Sequence, residues 1–289
     1  MGILETQNLT YTYGVKSGNP VTAVDDVSLS IEDGEIIGII GHTGSGKSTL
    51  IQQFNGLLRP TAGKVLLNGK DIWAEPKKIR RVRFQVGMVF QYPEYQLFEE
   101  TLEKDIAFGP RNKKLSGAEV RSHVDKAIAF VGLDPALRKK SPFELSGGEK
   151  RRAAIAGVVA MDPDVLILDE PTAGLDPHGR TMLLRQIKEY HEQRHNTIIL
   201  VSHSMEDVAQ MADRVLVMHQ GKAVLFDTVP KVFSRSRELE AMGLRVPQVT
   251  KIMALLADKG YPVNRGVFTL EQAEKELLRL LGKGVADHG

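Results

Sequence analysis

The run GHTGSGKST, residues 41–49, constrains this chain more than any other stretch. It fits G-x-x-x-x-G-K-[ST] and stands between a continuous apolar run, EIIGII (35–40), and a helix-like segment, GKSTLIQQFNGL. Strand, glycine-rich loop, helix is the context in which this pattern binds phosphate. Gly41, Gly44 and Gly46 let the loop turn its N–H groups toward an anion. Lys47 brings a point charge to the terminal phosphates of a nucleotide, and Ser48 offers a hydroxyl to Mg²⁺. The bland alternative is a glycine-rich turn with an incidental lysine, and the flanking strand and helix count against it. His42, Thr43, Ser45 and Thr49 complete the loop, with His42 at a variable position.

A metal needs a carboxylate, and DVLILDEPTAGLD (164–176) supplies one. Four apolar residues, Val165 to Leu168, read as a buried strand with Asp169 at its C-terminal edge, where α/β sheets place ligands. Asp169 can hold Mg²⁺ through water, and Glu170 is placed to orient or deprotonate an attacking water. Taken alone, the acidic pair could equally open a helix. Beside the lysine loop it reads as the second half of a phosphate site.

LSGGEKRR (145–152) looks like a helix start, because Ser146 and Glu149 have capping-box spacing. Yet Gly147 and Gly148 weaken its first turn, each by about 1 kcal/mol relative to alanine. They ease a tight entry, or they bare N–H groups for an anion. One phosphate site needs one glycine-rich loop. The second set therefore points to another nucleotide, held by a partner chain in a head-to-tail pair.

The remaining texture fits an α/β chain. Residues 2–35 read as short antiparallel strands, 92–161 as mainly helical, and helix–strand alternation runs to about Phe226, predicting a largely parallel sheet. Beyond Pro230, PQVTKIMALLADKG and TLEQAEKELLRLLGKG read as two helices. The first carries Val249, Ile252, Met253 and Leu256, and the second an apolar stripe through Ala273, Leu277 and Leu281. They are too few for an independent core, so a docked tail or oligomer interface is expected. With 289 residues, 42% hydrophobic and 26% charged, the composition is that of a globular protein. No cysteine is present, which excludes disulfides and thiolate metal sites, and a net charge of +2 does not argue for nucleic acid. No signal peptide and no apolar run near the roughly 20 residues of a membrane span is visible. A soluble cytosolic protein is expected, with any membrane part on another chain.

Over residues 3–228 the chain resembles the nucleotide-binding subunit of ATP-binding cassette (ABC) transporters. The resemblance implies a P-loop NTPase (RecA-like) core with an antiparallel β-subdomain and a helical subdomain (about 92–161), forming an ATPase domain over 1–229. A small, mainly helical segment, 230–289, follows as a dimerisation region. Gly41–Thr49 corresponds to the Walker A loop, and Val165–Asp169 to Walker B with catalytic Glu170. The signature is LSGGE, where Ser146, Gly147, Gly148 and Glu149 would serve the partner's ATP. Its commonest fifth residue is glutamine, so Glu149 is a departure. Asp176 in AGLD matches the D-loop, and His203 in LVSHS the switch histidine. Gln91 matches the Q-loop glutamine and joins Ser48 and Asp169 as a Mg²⁺ ligand. Tyr13, or alternatively Tyr11, corresponds to the aromatic that stacks on adenine.

FQYPEYQLFEETLEKDIAFGPRN (90–112) is similar to the second ATPase paralogue of energy-coupling factor transporters. That likeness implies a paralogous ATPase partner, a transmembrane coupling subunit and a substrate-binding membrane subunit for a vitamin or metal ion, at the cytoplasmic face of the membrane. A cobalt or nickel importer ATPase is the near alternative. A DNA- or ribosome-associated ABC protein is further off, because no second cassette, zinc cysteine or heptad arm is present. Glu94, Leu97 and Phe98, just past Gln91, are expected to form an exposed apolar pair rimmed by acid that receives basic helices of the coupling subunit.

Overall fold

The computed structural model describes residues 2–282, so the end of the expected C-terminal segment, 283–289, lies outside the described residues. Two sheets organise the chain. The first is antiparallel, in the order β2-β1-β4-β5: β1 Leu4–Tyr13, β2 Val21–Ile31, β4 Ala62–Leu67 and the two-residue β5 Lys70–Asp71. The second has the order β10-β9-β3-β8-β7-β6. It comprises β3 Ile36–Ile40, β6 Val86–Val89, β7 Val165–Asp169, β8 Thr197–Val201, β9 Arg214–His219 and β10 Lys222–Thr228. All its pairs are parallel except β10 on β9, which closes one edge through a short hairpin.

Strand residues of the parallel sheet alternate between two cores, as a period of two demands. From β7, Val165 and Ile167 face β1, β2 and the helix α1 (Lys47–Phe54), joining Leu4, Val27, Leu50 and Phe54. Leu166 and Leu168 face the opposite way, into a helical layer. That layer holds α3 Leu102–Asn112, α4 Gly117–Phe130, α5 Gly147–Val159 and α6 Pro177–Arg194. Both faces are covered, so β3, β7 and β8 are buried throughout and mostly apolar, with Asp169 and Thr197 at strand ends. The short α2 (Ile79–Gln85) leads into β6, and α7 (Met205–Met211) packs on β3.

The expected division at residue 230 does not coincide with a break in packing. In α8 (Val229–Phe233) and α9 (Ser236–Ala241), Val232, Phe233 and Leu239 share a core with Ile40, Val215 and Val217, and so do Leu244 and Val246. The packing changes at Pro247. Beyond it, α10 (Gln248–Asp258) and α11 (Leu270–Leu280) build a small core of their own around Met253, Val267 and Ala273. Two expectations for these helices are corrected. Ile252 and Leu281 are exposed, the latter because α11 has already ended there. Thr269 caps α11 by accepting from the Gln272 N–H at 3.2 Å, and the Gln272 side-chain carbonyl accepts in return from the Phe268 N–H at 3.1 Å.

Candidate ATP site

The turn from β3 into α1 forms one wall of a cleft of about 410 Å³. Gly46 caps α1 in the left-handed region, φ +100°, and a side chain there would strike the Ala23 carbonyl at 2.1 Å. Only glycine fits both conditions. The Lys47 ammonium folds back along the loop and donates to the carbonyls of Gly41 (2.6 Å) and His42 (3.1 Å). Burial pulls its pKa down, opposed by the charges of Glu170 and Asp169. Thr43, Gly44, Ser48 and Thr49 line the same cleft, while Ser45 is fully buried beneath it. His42 bonds to the neighbouring Thr43 carbonyl and lies edge-on to His219 at 5.3 Å.

Of the two tyrosines, Tyr13 borders the cleft, 43% exposed, with its hydroxyl 3.1 Å from Thr49 Oγ1. Tyr11 packs against the core and supports Tyr13 edge-on at 4.7 Å. Asp169 emerges at the end of β7, hydrogen-bonded to Ser48 and with its pKa raised by burial. Glu170 follows with φ +52°, a strained left-handed geometry for a glutamate. Burial pushes its pKa up to about 7. Its Oε2 accepts from the His203 N–H at 3.3 Å, and its Oε1 lies 3.4 Å from His203 Nε2. Burial and the Lys47 charge both lower the pKa of His203. Gln91 completes the cleft as an exposed amide. Ser48 hydroxyl, Asp169 carboxylate and Gln91 amide make a hard-oxygen set suited to Mg²⁺ shared with substrate phosphates.

Ser146, Gly147, Gly148 and Glu149 lie outside this cleft. The capping box is complete: Ser146 Oγ accepts from the Glu149 N–H, and Glu149 Oε2 accepts from the Ser146 N–H at 2.8 Å and its hydroxyl at 2.7 Å. Neither glycine has positive φ, and a Cβ on Gly147 would meet nothing within 4 Å. A tight entry into the helix therefore does not require them. They leave an open, unshielded first turn. Asp176 caps α6 by accepting from the Gly179 N–H at 2.6 Å.

The segment after Gln91 differs from expectation. Leu97 is buried, so no exposed Leu97–Phe98 pair exists; Phe98 alone is exposed, edge-on to Phe108 at 4.9 Å. Glu94 is already engaged inside the chain by Arg151 Nε at 3.3 Å. The apolar concavity instead lies beside it, a groove of about 470 Å³ walled by Phe84, Phe90, Leu97, Phe108, Val158 and Met161. Phe84, Phe108 and Val158 come from α2, α3 and α5, and Phe90, Leu97 and Met161 from the segments that follow β6, a 3-10 turn and α5, so no local run in the sequence could assemble them.

Residues 24–173 match the ABC transporter family. The chain belongs to that family. As an ABC cassette it is a transport-class ATPase, and its curated relatives narrow the type. The energy-coupling factor transporter ATP-binding protein EcfA2 of Clostridium tetani is 56% identical over 96% of both chains. EcfA2 of Symbiobacterium thermophilum is 55% identical over 87% of both. Among solved structures, cbiO1 of Clostridium perfringens, part of the ABC transporter complex cbiONQ, superposes with TM-score 0.74 at 38% identity, covering 88% of this cassette and 99% of that chain. The dimeric cassette MJ0796, in a post-hydrolysis state bound to ADP and phosphate, gives TM-score 0.70 at 26% identity, over 78% and 98%.

Proposed function

We propose that this cassette is the ATP-binding and hydrolysing subunit that powers an energy-coupling factor importer for a vitamin or metal ion. The observation that carries the reading is one cleft gathering Lys47, Asp169, Glu170 and His203, with a bare helix start, Ser146–Glu149, lying outside it. Lys47 and the loop amides hold the phosphates, and Tyr13 stacks on the base. Mg²⁺, held by Ser48, Asp169 and Gln91, would neutralise charge developing on the phosphates. Glu170, poised near neutrality, takes a proton from the attacking water, and His203 keeps that carboxylate in place. The Ser146 turn completes the γ-phosphate site of a paralogous ATPase in a head-to-tail pair, with residues beyond 230 helping to hold the two chains together.

None of the described helices is long and apolar enough to cross a membrane. The groove between α2, α3 and α5 is proposed as the seat of a helix from the transmembrane coupling subunit, which in turn carries the substrate-binding subunit. Work would then be delivered at the cytoplasmic membrane face. The likeness to cbiO1 keeps a cobalt or nickel importer as the second reading.

Glu170→Gln tests the assignment. ATP binding should persist while turnover falls by roughly a thousandfold or more. In the unmodified complex kcat/KM should decline about tenfold per pH unit below about 7, because the base must be ionised. Near-normal hydrolysis in the variant would remove Glu170 from the reaction. The fold's preference for the protonated carboxyl stabilises it below the usual value of 4.5 and is lost as pH rises through about 7. The glutamine variant should therefore melt higher relative to the native chain at pH 8 than at pH 5.

A further inference from the structure

Arg151 lies on α5, five residues beyond Ser146, and is 4% exposed. Its guanidinium reaches two separate segments. Nε meets Glu94 Oε2 at 3.3 Å, and Nη1 donates to the Ala173 carbonyl. Each contact lies three residues from a residue of the ATP cleft: Glu94 follows Gln91, and Ala173 follows Glu170. The Ala173 N–H in turn donates to the Glu170 carbonyl at 3.2 Å, closing the turn that sets Glu170's backbone. The same turn runs on to Asp176, which caps α6.

We propose that Arg151 is a positioning residue that ties the start of α5, the Gln91 segment and the Glu170 turn into one mechanical unit. A phosphate seated on Ser146 fixes α5; the guanidinium carries that placement to the Ala173 carbonyl, and so to the backbone that aims Glu170. Glu94 holds the other end of the fork, adjoining the groove wall at Leu97. Arginine suits the task because its planar fork serves two acceptors on different segments, which a lysine point charge does not. A buried cation with these partners also explains why Glu94 is turned inward.

The inference rests on the ATPase reading above, and the two fail differently. In the assembled complex, Arg151→Met should lower kcat about tenfold or more and leave the KM for ATP within about twofold. Arg151→Lys separates positioning from stability. It keeps the charge beside Glu94, so it should melt within a few degrees of the native protein, yet it should recover little of kcat. Glu94→Gln should cost kcat in the native background and almost nothing further on Arg151→Met, since both act through one contact. A lysine variant with full kcat, or additive losses in the pair, would overturn the proposal. No hydrolysis by the unmodified complex would instead sink the ATPase reading itself.

Discussion

Ser146 offers one hydroxyl proton, and in this structure Glu149 holds it. The carboxylate accepts twice from the same serine, which keeps its pKa below the usual range, helped by Arg152 and Lys140. An incoming γ-phosphate must take that proton from a neighbouring anion and then sit beside the anion. Replacing Glu149 with glutamine keeps the capping geometry and removes the charge. The ATP concentration needed to trap paired cassettes, measured with Glu170→Gln chains, should fall by about fivefold; an unchanged or higher requirement would show that the carboxylate does not oppose phosphate. Residues such as Lys47, Asp169 and Glu170 were legible because their chemistry sits in contiguous strings beside apolar strands. Arg151 was not: its partners lie 57 and 22 residues away, and EKRR reads as an ordinary polar helix face.

Among elements, β3 shows how a correct strand assignment can miss the reason for its composition. EIIGII predicts a buried strand, and Ile36–Ile40 is one, but Gly38 answers to α7. A Cβ there would stand 2.4 Å from Val208 Cγ1, so the helix rests directly on the strand's backbone. Gly38→Ala should destabilise the fold by about 1–3 kcal/mol in urea unfolding, by overpacking. A neutral result would mean that α7 shifts freely. The segment after Gln91 failed for a related reason. Alternating acid and aromatic residues suggested an exposed rim, whereas a 3-10 turn at Pro93–Gln96 swings Leu97 into the core. Local polarity does not encode which way a short turn faces.

At the scale of the whole molecule, the parallel sheet, the antiparallel sheet and the helical layer were all visible as changes of period along the chain. The join between ATPase and tail was not, because α8 and α9 look like the tail in sequence and pack like the ATPase. Ending the chain after Val246 should therefore keep ATP binding and a melting temperature within several degrees of native, while weakening assembly of the paired complex on size-exclusion chromatography. Loss of nucleotide binding on that truncation would place the tail inside the catalytic fold. The clamp around the phosphate loop reaches further. The Gly221 N–H donates to the Ser45 carbonyl, the Asp25 N–H donates to the Gly221 carbonyl, and Gly46 lies against Ala23. Both sheets thus grip the loop at once, and the span from Tyr13 to Lys47 is a fixed ruler for the nucleotide. A stroke driven by ATP cannot stretch that ruler, so displacement must fall to the helices of the other layer, which swing while the nucleotide stays in its rigid cradle.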